Sequence, residues 1–190
     1  MPLRRLLFLP VLLTLTAPAL AQDAPKPDAK PEKAEKYEPK TFSNEFTGTF
    51  GGERVTYKAV AGETVLKNDK GEDIAAVFTV AYVKKDVVDP RARPVTFVFN
   101  GGPGSASLWL HMGVYGPKRI VVPSDGSLTG AAPYRIEDNV HSVLDVTDLV
   151  FIDPVGTGYS KSVGKGKDED FWGLKEDAES IAEFIRVWIT

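Results

Sequence analysis

Asn100-Gly101-Gly102-Pro103-Gly104 follows directly on the apolar run Val95-Thr96-Phe97-Val98-Phe99. A strand that ends in such a loop presents backbone amides that side chains cannot cover. Glycine lacks Cβ and tolerates positive φ, and Pro103 stiffens the bend. Successive N–H groups turned to one side make a cradle for negative charge. A second loop of this kind, Asp153-Pro154-Val155-Gly156-Thr157-Gly158-Tyr159-Ser160, follows the apolar stretch Leu149 to Ile152. In open α/β sheets ligands sit beyond the carboxyl ends of the strands, which places both loops on the functional edge. Neither loop fits a nucleotide fingerprint. Gly156-Thr157-Gly158 lacks the third glycine of the dinucleotide motif, and no lysine stands where the phosphate-loop pattern requires one.

The elements that must position these loops change character along the chain. Alternating stretches predict strands over Thr47 to Phe50, Glu53 to Ala59, Glu63 to Lys67 and Ala75 to Val83, with Gly51-Gly52 and Asn68-Asp69-Lys70-Gly71 as turns. They read as an antiparallel meander. Val95 to Phe99 and Leu149 to Ile152 are short and almost continuously apolar, as expected of strands buried on both faces of a parallel sheet. Leu174, Ala178, Ile181, Ala182, Ile185 and Trp188 recur at spacings of three and four, predicting an amphipathic helix whose amides Asp168, Glu169 and Asp170 are placed to cap.

Before the first strand the composition divides in two. Arg4 and Arg5, the apolar run Leu6 to Thr16 and the small residues Ala19-Leu20-Ala21 predict a secretory signal peptide over residues 1–21, cleaved near Ala21. The expected destination is the periplasm or the extracellular space. The apolar run is too short for a membrane span, which needs about 20 residues, so no stable membrane insertion is expected. Residues 22–40, rich in Ala, Pro, Lys, Asp and Glu, predict an extended linker. Removing the signal moves the formal charge from -3 to -5, a mild acidity that argues against a nucleic-acid partner. The chain has no cysteine, hence no disulfide framework and no thiolate chemistry. Its two histidines, His111 and His141, lack zinc-site spacing.

At this point the residues point to a family. FNGGPGSASLWL, followed some fifty residues later by DLVFIDPVGTGYSKS, resembles the serine carboxypeptidases of the α/β-hydrolase fold. The likeness covers roughly Thr41 to Thr190 and is strongest over Val95 to Pro117 and Asp148 to Ser162. It implies an α/β fold in which residues 41–190 form the N-terminal part of a mixed, mostly parallel sheet. It implies a peptidase that releases C-terminal residues through a seryl acyl-enzyme, on a peptide substrate with a free C-terminal carboxylate and with no cofactor. By the same resemblance the backbone N–H of Gly102 is an oxyanion-hole donor, while the Asn100 side chain and the Gly101 amide bind the substrate carboxylate. Such a preorganised amide contributes on the order of 3 kcal/mol in a water-poor site.

The departures also carry information. Ser105-Ala106-Ser107 stands where the family commonly has cysteine, and Asp153 is followed at once by Pro154. A serine hydrolase of this fold needs a Gly-x-Ser-x-Gly elbow followed by an acid and a histidine. The sequence contains no such elbow, and His111 and His141 come too early to serve one. By order, the strand carrying the nucleophile is expected after the Leu174 helix. The chain therefore reads as an N-terminal fragment, inactive alone, with an exposed edge where the next strand belongs.

Other residues take a plainer reading. His111 and His141 are expected as core or surface histidines. Trp109, Tyr115 and Trp188 are expected in packing, and Asp153 is expected to satisfy amides of its own loop. Tyr159 is a candidate substrate contact because its loop lies on the functional edge, with turn packing an equal alternative; the same holds for Ser160. Two other classes stay open: a different α/β hydrolase, such as a prolyl aminopeptidase or an esterase, and a non-catalytic export module whose loop binds an anion.

Overall fold

The computed structural model describes residues 36–101 and 103–190. The expected signal peptide, the linker as far as residue 35, and Gly102 lie outside the described residues. Strands β1 (Thr41–Phe50), β2 (Glu53–Lys67) and β3 (Asp73–Lys84) form the antiparallel meander. There follow β4 (Val95–Val98), a short helical turn α1 (Leu108–Leu110) that continues as a π turn over His111–Tyr115, and the small hairpin of β5 (Lys118–Ile120) and β6 (Ile136–Asp138). Then come β7 (Asp148–Ile152), β8 (Lys161–Ser162) and α2 (Leu174–Ile189). The main sheet runs β1-β2-β3-β7-β4, with β8 also on β3.

This is a mixed sheet with few helices, compatible with an α/β fold. Among the described residues, parallel pairing is confined to β4 and β7, so the expected mostly parallel sheet is met only there. Two expected strands are one: Gly62 lies inside β2, paired with Thr41 on one side and Thr79 on the other. A Cβ at Gly62 would lie 2.8 Å from Thr41 Oγ1, so this glycine serves close approach and not a turn.

Strand β7 is buried on both faces, as its unbroken apolar run predicts. Successive side chains alternate: Val150 and Ile152 join Val77, Ile181 and Phe184, while Leu149 and Phe151 join Phe50, Val55, Tyr57 and Leu144. Strand β4 departs from the expectation of two-sided burial. Val95 and Thr96 are exposed because β4 pairs only with β7 among the described residues.

Helix α2 forms as expected, with Ile181, Ile185 and Trp188 of the expected stripe on the core side and its other members outside. Ser180, Ile181 and Phe184 are buried, with Trp188 half-buried beside Phe97, whereas Leu174, Ala178 and Ala182 point outward. The acidic run does not cap α2. Asp168–Phe171 forms its own 3-10 turn, in which the Asp170 carboxylate accepts the Lys167 N–H at 2.9 Å, and α2 starts after Gly173. Ahead of β1, Tyr37 is tied to the sheet: its N–H donates to Asp73 (3.1 Å) and its hydroxyl to Glu63 (2.9 Å).

Candidate functional site

Because β4 and β7 run parallel, with Val98 opposite Phe151, the two glycine-rich loops leave the sheet side by side at the same edge. The second loop is an outcrop closed at its base by β3. Before it, Asp153 N–H donates to the Phe78 carbonyl (3.1 Å); after it, Ser160 Oγ accepts the Phe78 N–H (2.7 Å) and donates to the Asp153 carbonyl (2.6 Å). Both hydrogen-bonding directions of that buried hydroxyl are thus used in the turn. Thr157 closes the tip, its N–H and hydroxyl both donating to the Pro154 carbonyl.

Asp153 reaches further than its own loop. Its Oδ2 accepts the Tyr159 N–H (3.3 Å), as expected, but its Oδ1 accepts both the N–H (2.9 Å) and the hydroxyl (3.0 Å) of Ser107 in the first loop. Gly158, at φ +51°, has no room for a Cβ, which would fall on Asp153 Oδ2.

The first loop itself is open. Gly101 is exposed, and a Cβ added there or at Gly104 would meet no heavy atom within 4 Å. Asn100 is half-buried, and its side-chain oxygen is buried with no hydrogen-bond partner among the described residues. Native structures pair nearly all such atoms.

Beyond Ser107 the chain turns helical and its far side walls a cavity of about 530 Å³, lined mainly by Trp109, Met112, Ile120, Val122 and Tyr134. Trp109 is 72 % exposed, so its ring belongs to this wall and not to core packing. Tyr159 is 74 % exposed and rests on Phe78, ring centroids 5.0 Å apart.

His111 lies inward. Its Nε2 and the Tyr82 hydroxyl are 2.7 Å apart, and its ring stacks on Phe151. Burial lowers its pKa to about 4, the nearby Asp153 partly opposing the shift, so the ring is neutral near pH 7. Burial likewise raises the Tyr82 pKa. His141 is at the surface. Two supports escaped the sequence reading. Asn139 Nδ2 donates to the carbonyls of Val114 and Gly116 at 2.8 Å each, and Ser142 Oγ donates to that of Tyr115 at 2.7 Å, together fixing the end of the segment after the first loop. Nothing in the one-dimensional pattern around Asn139 signals this.

The mixed sheet carries paired glycine-rich loops beyond a parallel strand pair, an arrangement compatible with an α/β fold, and the sequence places the chain in a family. Residues 68–190 match the family model described as serine carboxypeptidase. The chain belongs to the serine carboxypeptidase family. It is 29 % identical over 130 residues to the pheromone-processing carboxypeptidase KEX1 of Cryptococcus gattii, covering 68 % of this chain and 18 % of that protein. It is 30 % identical over 138 residues to serine carboxypeptidase-like 36 of Arabidopsis thaliana, covering 71 % and 25 % respectively. The chain thus spans a quarter or less of the length of these curated relatives. Among the described residues there is no grouping of His, Cys, Asp and Glu suited to a metal, and no helix long and apolar enough to cross a membrane.

Proposed function

We propose that this chain supplies the substrate-end cradle of an exported serine-type carboxypeptidase of the α/β-hydrolase fold, with residues 41–190 as the N-terminal part of the catalytic domain. The signal-like residues 1–21 support export. The observation that carries the reading is Asn100: a side-chain amide at the carboxyl end of a parallel strand, with a buried oxygen left without a partner beside the uncovered Gly101 amide. In this reading the Asn100 Nδ2 and the Gly101 N–H donate to the substrate's terminal carboxylate. In the same reading, and by the family resemblance, the Gly102 N–H is a donor to the oxyanion that develops when a serine attacks the scissile carbonyl.

The nucleophile, the acid and the histidine of that chemistry come from sequence outside these residues, so the chain alone is proposed to be inactive. In the complete reaction the serine attacks, the histidine takes its proton and returns it to the leaving amine, and water releases the acyl group. The apolar cavity walled by Trp109 and Met112 takes a large apolar side chain of the substrate. Tyr159, exposed on the second loop, contributes a further substrate contact.

The test uses a protein that joins this chain to a segment of the family carrying the Gly-x-Ser-x-Gly elbow together with the acid and the histidine that follow it. Peptides with a free C-terminus are cleaved, and the same peptides amidated at that end are not. Asn100→Ala raises KM for the free-acid peptide by roughly 10-fold or more, as loss of a hydrogen bond to a charged group requires. Equal cleavage of acid and amide peptides would overturn the reading in favour of another hydrolase.

A further inference from the structure

We infer that Asp153 is the positioning residue of the first glycine-rich loop: its buried carboxylate clamps the end of that loop to the strand from which the second loop springs.

The first loop is an arch with two feet. One foot is Val98, paired with Phe151 in β7. The other is Ser107, whose N–H and hydroxyl both donate to Asp153 Oδ1. Phe151 and Asp153 are two residues apart, so both feet stand on one short stretch of β7 and its continuation. Between the feet, a Cβ added at Gly101 or Gly104 would meet no heavy atom within 4 Å, so nothing packs against that side of either residue. A glycine-rich arch keeps its amides aimed only if its ends are fixed, because each glycine otherwise has the widest backbone freedom of any residue.

The carboxylate suits this task. Asp153 and Ser107 are both buried, at 7 % and 4 % exposure, so water does not compete for the bonds. An ionised carboxylate is an acceptor only, and here it meets three donors: the Ser107 N–H, the Ser107 hydroxyl and the Tyr159 N–H. The glycine at 158 is part of the same device, since any side chain there would occupy the place of Oδ2. An asparagine of the same shape would set an N–H donor against an N–H donor on at least one side.

The inference rests on the proposed carboxypeptidase reading for its catalytic consequence, and the experiment separates the two. On the chain itself, Asp153→Asn should raise hydrogen–deuterium exchange in peptides covering 99–107 by about 10-fold, with β7 and α2 unchanged. In the active protein, the same substitution should lower kcat by about 10-fold or more and also raise KM, because the one arch carries both the oxyanion donor and the carboxylate-binding Asn100 and Gly101. Ser107→Ala should lower kcat several-fold, and Ser107→Thr, which keeps the hydroxyl, should restore it. Should Asp153→Asn fail to fold, the Ser107 pair gives the answer by itself. Unchanged or uniformly raised exchange, a loss confined to KM, or absence of rescue by threonine would each overturn the clamp. A wild-type protein without peptidase activity overturns the carboxypeptidase reading instead and leaves the exchange result to decide the clamp.

Discussion

The His111 imidazole lies almost flat on the Phe151 ring, centroids 4.3 Å apart and planes 23° apart, with its Nε2 held by the Tyr82 hydroxyl. This histidine is a packing residue that must stay neutral. Its folded pKa, about 4, is below the ordinary value of 6.5. A depressed folded pKa gives stability that is fully present above about pH 6.5 and lost as pH falls toward 4, up to about 3 kcal/mol. Urea unfolding of the wild type and of His111→Gln at pH 7 and pH 4 should show the wild type losing more stability on acidification. Equal losses would mean that the ring is protonated in the folded protein.

Two glycines of the second loop separate backbone strain from collision. Gly156 (φ +84°) has its nearest neighbour, Trp172 Nε1, 4.0 Å from an added Cβ, whereas Gly158 (φ +51°) has Asp153 in the way. Gly156→Ala should cost about 1–2 kcal/mol from the left-handed backbone alone. Gly158→Ala should cost clearly more, measured by denaturant midpoints, because it must also break the Asp153 bonds.

Trp109 provides a test of the cavity without a stability confound, since its ring is largely exposed. Trp109→Ala should leave the melting temperature nearly unchanged. In the active protein it should reduce discrimination between phenylalanine and glycine leaving residues by roughly 10-fold in kcat/KM, the scale of losing apolar pocket contacts.

The two faces of α2 predict opposite outcomes for similar truncations. Phe184→Ala removes a fully buried ring packed against Phe97, for about 3–5 kcal/mol. Leu174→Ala, at a position 83 % exposed, should fall within about 0.5 kcal/mol of wild type. Thermal or urea unfolding of the pair distinguishes the inward from the outward stripe.

That pair also shows where sequence reading reaches and where it stops. The existence of α2 follows from its three-and-four spacing, but two stripes share that spacing. Ile181, Ile185 and Trp188 of the expected stripe face the core, but counting Ala178 and Ala182 as apolar set its centre too far outward, whereas burial favours Ile181 and Phe184, whose larger side chains have more surface to remove from water. Strand periodicity likewise located β1, β2, β3 and β7, yet it broke β2 in two before Gly62, because the close approach to Thr41 that this glycine allows is a property of the neighbouring strand. At the site, the glycines announce the loop. The bond between Ser107 and Asp153 spans 46 residues of sequence and depends on the parallel register of β4 and β7, which no local pattern encodes.

The segment after the first loop and strand β7 share a common metric. Ser107 rests on Asp153 and His111 on Phe151, while the His111 N–H closes one helical turn onto the Ser107 carbonyl at 2.9 Å. Four helical residues advance about 6 Å, and two strand residues about 6.6 Å. One turn of helix is therefore laid antiparallel along two steps of strand with the spacings nearly commensurate. A segment matched in this way tolerates exchange of side chains between its contact points but not a change in their number: inserting or deleting a single residue between Ser107 and His111 would rotate one contact by about 100° away from the strand. The length of this short turn is thus as strictly set as the chemistry of the loop that precedes it.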